Sequence, residues 1–152
     1  MEELKEGTKA PEFTAKNQHG EMVSLSDFQD KNVILYFYPK DDTPGCTAES
    51  CNFRDNYQGL LKEGFEVIGV STDDEASHLK FISKYQLPFN LLADTDKNIV
   101  EAYGVWVEKN MYGKKYMGTA RKTFIINPQG YISKIIAKVD TENSSQQILD
   151  LI

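Results

Sequence analysis

Two cysteines occur among the 152 residues, and both fall in one short stretch, YFYPKDDTPGCTAESCNFRD, from Tyr36 to Asp55. Thiols serve as nucleophiles, as reversible redox groups or as soft metal ligands, and their surroundings decide among these. Thr43 is a good helix N-cap and Pro44 suits the first helical position, which puts Cys46 in the first turn. Free backbone N–H groups and the helix dipole there stabilise negative charge, so Cys46 is placed as a thiolate nucleophile. Cys51, a turn and a half further along, lacks that advantage. On one regular helix, a five-residue separation sets the two Cα atoms about 8.7 Å apart. A disulfide needs them within about 7 Å, so the pair can close only if residues around 46 to 52 unwind. Free cysteines are also commonly buried as small hydrophobes, a reading that stays open for either position on spacing alone.

Bulk properties narrow the chemistry. A chain of this length with 40% hydrophobic residues can bury one sizeable core, which predicts a single domain over 1–152. A formal net charge of -6 argues against an extended basic surface for nucleic acid or anionic lipid, and favours small molecules or proteins as partners. The opening MEELKEGTKAPEF has no apolar core of signal-peptide length, and no apolar run approaches a membrane span. The expectation is a cytoplasmic protein without a membrane partner. In a reducing compartment a cysteine pair is more often catalytic, redox-sensing or metal-binding than structural. The two histidines, His19 in a turn and His78 on an exposed-looking helix, read as solvated surface residues. They do not complete a ligand set, and neither metal nor cofactor is expected.

These residues need a scaffold. PEFTAKNQHGEMVSL reads as an N-terminal β-hairpin turning at Asn17–Gly20, and NVILYFYP (32–39) as a buried central strand. A helix follows from Pro44 to about Lys62, stopped by Gly64, then a second buried strand, FEVIGVST (65–72). DDEASHLKFISKYQ is an amphipathic helix, FNLLAD a short strand and DKNIVEAYG a short helix. TFIINPQGYISKIIAKV is a hairpin turning at Asn127–Gly130, and a last helix covers roughly Glu142 to Ile152. The order predicts an α/β fold with a mixed central sheet of about five main strands flanked by helices, the shape of a thioredoxin-like domain. The cysteine stretch follows a central strand, at the end where such folds place their sites. Trp106 and the tyrosines Tyr36, Tyr38, Tyr103, Tyr112 and Tyr116 read as core or pocket-wall residues.

With Pro39, Thr43 and Cys46 in place, PKDDTPGC resembles the peroxiredoxin signature PxxxTxxC. The longer run resembles the peroxiredoxin Q, or bacterioferritin comigratory protein, branch, in which a second cysteine follows five residues after the first. The likeness extends from GTKAPEF through GVWVEKNMYGKKYMGTARKTFIINPQG. It implies a thiol-dependent peroxidase for hydrogen peroxide and organic hydroperoxides. Cys46 would be the peroxidatic cysteine that becomes a sulfenic acid. Thr43 would hydrogen-bond the thiolate and the peroxide, Pro39 would shape and shield the loop, and Arg121, in TARKTF, would steady the charge as the O–O bond breaks. Cys51 would be the resolving cysteine, forming an intramolecular disulfide after the helix unwinds. The resemblance implies thioredoxin or a related dithiol protein as reductant, and a monomer.

Two other classes share parts of this pattern. A thioredoxin-like disulfide oxidoreductase usually carries Cys-x-x-Cys and an X-Pro bond before the later strand, where this chain has Ala120-Arg121-Lys122-Thr123. A non-enzymatic redox sensor would use the same helix opening once rather than cyclically, and turnover distinguishes it.

Overall fold

The computed structural model describes residues 4–151. β1 (Thr14–Lys16) and β2 (Met22–Ser24) pair antiparallel as the expected hairpin. Asn17 Oδ1 closes its turn by accepting from the backbone N–H groups of His19 and Glu21. β3 (Asn32–Phe37) is the hub of the fold, followed by α1 (Pro44–Lys62), β4 (Phe65–Ser71), α2 (Glu75–Tyr85), β5 (Asn90–Ala93) and α3 (Asn98–Ala102). Next come β6 (Trp106–Met111), β7 (Lys114–Thr119), β8 (Lys122–Ile126), β9 (Ile132–Ile136) and α4 (Ser144–Asp150). Ile152, the last residue of the expected terminal helix, lies outside the described residues.

The main sheet has the strand order β5-β4-β3-β8-β9, which meets the expected five-stranded mixed sheet. β3, β4 and β5 run parallel, joined by helical crossovers, while β8 pairs antiparallel with β3 and with β9. Because side chains alternate across a strand, β3 serves two cores at once. Val33, Leu35 and Phe37 face a cluster with Val100, Tyr103 and Phe124, while Ile34, Tyr36 and Tyr38 face α1 and α2 through Phe53, Leu60 and Phe81. Burying a side chain the size of Phe53 or Leu60 is worth about 2 kcal/mol, so α1 is held by its inner face more than by helix propensity. Its end is fixed by Gly64 at φ +85°, a left-handed turn that glycine makes without a Cβ penalty.

Two sequence expectations change, and one element is additional to them. The β6–β7 hairpin carries no usual turn signal, because its turn uses Tyr112 and Gly113, both at positive φ, and tyrosine is not a usual residue for that conformation. Tyr112 and Tyr116, expected in a core or pocket wall, lie exposed on this hairpin, whereas Tyr36, Tyr38 and Tyr103 are buried. His78, expected on a solvated face, is fully buried between the loop carrying Asp41 and β5, each of which gives its ring a partner. No described helix is long and apolar enough to cross a membrane.

Candidate active site

α1 begins at Pro44, with Thr43 in extended conformation as its N-cap residue, so Cys46 occupies the first turn as expected. The Thr43 side chain does not cap the helix. Its hydroxyl donates to the Lys40 carbonyl at 2.9 Å, which tightens the loop from Pro39 to Thr43 and leaves its hydrogen turned away from the Cys46 sulfur. Pro39 is half-buried in the bend that ends β3. Cys46 and Cys51 are both free thiols on an intact helix, Cys46 buried and Cys51 partly exposed.

Arg121 meets Cys46 across 75 positions of chain, its Nη2 donating to Sγ at 3.2 Å. The sheet explains this. β8 runs antiparallel to β3 with Lys122 opposite Phe37, so Arg121 arrives one residue beyond that pair, beside the strand end from which the loop to α1 departs. Gly45 leaves room for the guanidinium, since a Cβ there would stand 3.1 Å from Arg121 Nη2. Arg121 Nη1 donates to Glu49 Oε1 at 2.9 Å, so one guanidinium clamps the sulfur and a carboxyl group together.

Glu49 is fully enclosed, and the sequence reading missed it. The available signal was its spacing: three residues after Cys46, it lies on the same helix face. Burial pushes its carboxyl up to about 7 against the pull of Arg121. For Arg121 the balance reverses: burial opposes its charge, and the Cys46 sulfur and Glu49 more than offset it, holding it above its ordinary range. Glu49 Oε2 has no hydrogen-bond partner among the described residues. Lys109, on β6, is a further basic group beside the site. Its stem lies against Gly118, where a Cβ would meet its Cδ at 3.2 Å. Burial and Arg121 draw its ammonium down while the Cys46 sulfur draws it up.

Cys51 sits in a different environment. It lines an open groove of about 430 Å³ with Asp42, Thr43, Pro44, Thr47 and Tyr85. Burial pushes its thiol up, with Arg54 opposing and Asp55 assisting. One sulfur therefore faces a guanidinium while the other is held toward the neutral thiol.

A buried polar cluster fixes the loop from the other side. His78 Nδ1 lies 2.7 Å from Asp41 Oδ2, and its Nε2 donates to the Leu92 carbonyl at 2.8 Å. Tyr38 donates to Asp41 Oδ1 at 2.6 Å, and Asp73 Oδ2 accepts from the Asp41 backbone N–H at 2.8 Å. Asp41, Asp73 and His78 place ligand-type atoms within 4.8 Å of one another, but these atoms already hydrogen-bond within the cluster or to the chain. The cluster is a brace between α2 and the loop.

Comparison with known proteins gives a consistent result. Residues 7–135 match the model of the AhpC/TSA family. The chain is 45% identical over 143 residues to peroxiredoxin Bcp of Bacillus subtilis, covering 94% of this chain and 91% of that one. It is 43% identical over 150 residues to peroxiredoxin Bcp of Escherichia coli strain K12, covering 99% and 96%. Among solved structures, the bacterioferritin comigratory protein of Xanthomonas campestris, described for its alkyl peroxide reduction activity, superimposes with a TM-score of 0.86. It shares 33% identity over 91% of this chain and 88% of that one.

Proposed function

From the premise that the chain belongs to the AhpC/TSA family and is a peroxiredoxin, a thiol peroxidase of the Bcp or peroxiredoxin Q group, we propose that Cys46 is its peroxidatic residue and Cys51 its resolving residue. The observation that carries this assignment is the Arg121 Nη2 contact with Cys46 Sγ at 3.2 Å. It gives the sulfur a cationic donor and places that same guanidinium where charge develops as the O–O bond breaks.

The thiolate attacks one peroxide oxygen. An S–O bond forms, the O–O bond breaks, and the departing oxygen takes a proton to leave as water or an alcohol, so that thiolate, hydroperoxide and proton become sulfenic acid and ROH. Thr43, its own hydrogen held by Lys40, has oxygen lone pairs to accept from the peroxide hydroxyl. Pro39 shapes the loop and keeps water from the reacting atoms. After residues around 46 to 52 unwind, the Cys51 thiol condenses with the sulfenic acid, releasing water and forming the disulfide. A dithiol protein, thioredoxin or a relative, restores both thiols by exchange and is itself oxidised to a disulfide.

The activity described for the Xanthomonas relative supports extending the substrate range from hydrogen peroxide to organic hydroperoxides. Resolution within one chain needs no second subunit, so the working unit is a monomer whose 152 residues form a single domain. The cycle requires a compartment that keeps its reductant reduced, which assigns it to the cytoplasm.

The test is peroxide consumption by the reduced protein with a thioredoxin recycling system, compared with Cys46→Ser. Sustained turnover in the wild type that disappears in the variant is expected. Consumption of a single equivalent with thioredoxin and with other dithiol reductants would instead indicate a redox sensor.

A further inference from the structure

The proposed cycle requires the α1 segment between the two cysteines to leave its helical form, which raises the question of what holds it there. On its inner side, Ser50 Oγ lies 2.9 Å from the Tyr36 hydroxyl in the core. On its outer side, the residue after Cys51 is tied to another helix. Asn52 Nδ2 donates to the Glu142 carbonyl at 2.8 Å, and Asn52 Oδ1 accepts from the Ser145 backbone N–H at 2.9 Å. The Ser144 hydroxyl is also directed at this junction, 3.3 Å from Asn52 Oδ1 and 3.4 Å from the Glu49 carbonyl. Ser145 Oγ stands 3.4 Å from the Asn52 carbonyl.

These bonds have a local cause. The first N–H groups of a helix lack partners inside it, and Asn143, at the N-cap position of α4, makes no side-chain cap bond. Asn52 supplies the missing acceptor from α1, while its amide nitrogen engages a carbonyl just before α4. Both functional groups of one amide are thus satisfied by α4 and the residue leading into it. Moving Asn52 breaks both bonds and leaves the start of α4 uncapped. The pairing rests on tertiary contact across about 90 positions of chain, whereas the helical bonds between Cys46 and Cys51 are local.

We infer that Asn52 is a positioning residue for the resolving step: its bonds to α4 latch Cys51 in the helix and set the rate at which the disulfide closes. This inference rests on the assignment of Cys46 and Cys51 above. While the latch holds, a sulfenic acid at Cys46 remains open to a second hydroperoxide, which adds an oxygen to give sulfinic acid and releases ROH. The latch therefore governs the division between disulfide and over-oxidised enzyme without touching the peroxide.

The test mixes reduced full-length wild type, Asn52→Ala and Asn52→Asp with hydrogen peroxide in the absence of reductant. Samples are quenched over time, and sulfenic acid, disulfide and sulfinic acid are counted by mass spectrometry. Asn52→Ala should form sulfenic acid within about twofold of the wild-type rate, close its disulfide about tenfold faster and yield correspondingly less sulfinic acid at high peroxide. Asn52→Asp keeps the acceptor for Ser145 and loses the donor to Glu142, so it should fall between the two and remains informative if the alanine variant fails to fold. Disulfide closure at the wild-type rate or slower in the folded variants, with sulfenic acid formed normally, would overturn the latch. Absence of sulfenic acid at Cys46 in the wild type would overturn the site assignment, and the latch with it.

Discussion

Glu49 and Cys46 are held by the two ends of one guanidinium: Arg121 Nη1 donates to Glu49 Oε1 at 2.9 Å while Nη2 donates to Cys46 Sγ at 3.2 Å. A carboxyl group enclosed in the core thus aims the arginine at the sulfur, and the geometry of the fork matters as much as its charge.

Replacing Arg121 separates these two contributions. Arg121→Gln should slow peroxide reaction of the reduced protein by about 100-fold, the scale of removing one charge-stabilising donor. Arg121→Lys keeps the charge but cannot bridge both partners, and should still lose more than about tenfold. Stopped-flow oxidation with hydrogen peroxide measures both, and a lysine variant close to the wild-type rate would show that charge alone suffices.

The Glu49 carboxyl gives stability a pH dependence of known sign. Below its ordinary 4.5 the group is neutral in folded and unfolded chains alike. Between 4.5 and about 7 the folded state keeps a proton that the unfolded state has released, so stability falls as pH rises through this window. The full cost, on the order of 3 kcal/mol, stands above pH 7. Glu49→Gln does not titrate and keeps an acceptor for Arg121. Its stability relative to wild type should therefore climb across this window and level off above it, as read from urea midpoints at a series of pH values. A constant difference would refute the assignment of the shift to Glu49.

The two cysteines should fail differently. Cys46→Ser abolishes the first oxidation, whereas Cys51→Ser reacts once and accumulates sulfenic acid at Cys46, detectable by dimedone labelling. Equal loss of the first step in both would refute the division of roles.

Removing His78 takes one of three side-chain partners from the buried Asp41, leaving Tyr38 and Ser77, and strips the Leu92 carbonyl of its donor. His78→Leu should cost about 2 to 3 kcal/mol, the scale of leaving buried polar groups unsatisfied. The double variant with Asp41→Asn should be less destabilised than the sum of the two single changes, which denaturant unfolding of all four proteins tests.

Much of this molecule was legible in its residues. The continuous apolar run of β3, the Thr43-Pro44 start and Gly64 stop of α1, and the Asn127–Gly130 turn before β9 follow from local propensity and spacing, and each element formed where those rules place it. Pro39, Thr43, Cys46 and Cys51 lie within one loop and one helix, so their proximity needed no knowledge of the fold. The β6–β7 hairpin escaped because Tyr112 does not advertise a positive φ.

Tertiary structure decided the rest. Arg121 has no local reason to approach Cys46, and does so because β8 pairs with β3 in a register that ends beside the loop into α1. His78 stands on a helix with polar neighbours, and it becomes a buried residue only where the Asp41 loop and β5 close on its ring from two sides. Asn52 looks like any polar position on a long helix until α4 arrives to be capped. In each case a polar group found its partner through strand pairing or helix docking between distant segments. Spacing along the chain encodes which face of an element a residue occupies, but the partner across that face is set by how the elements pack.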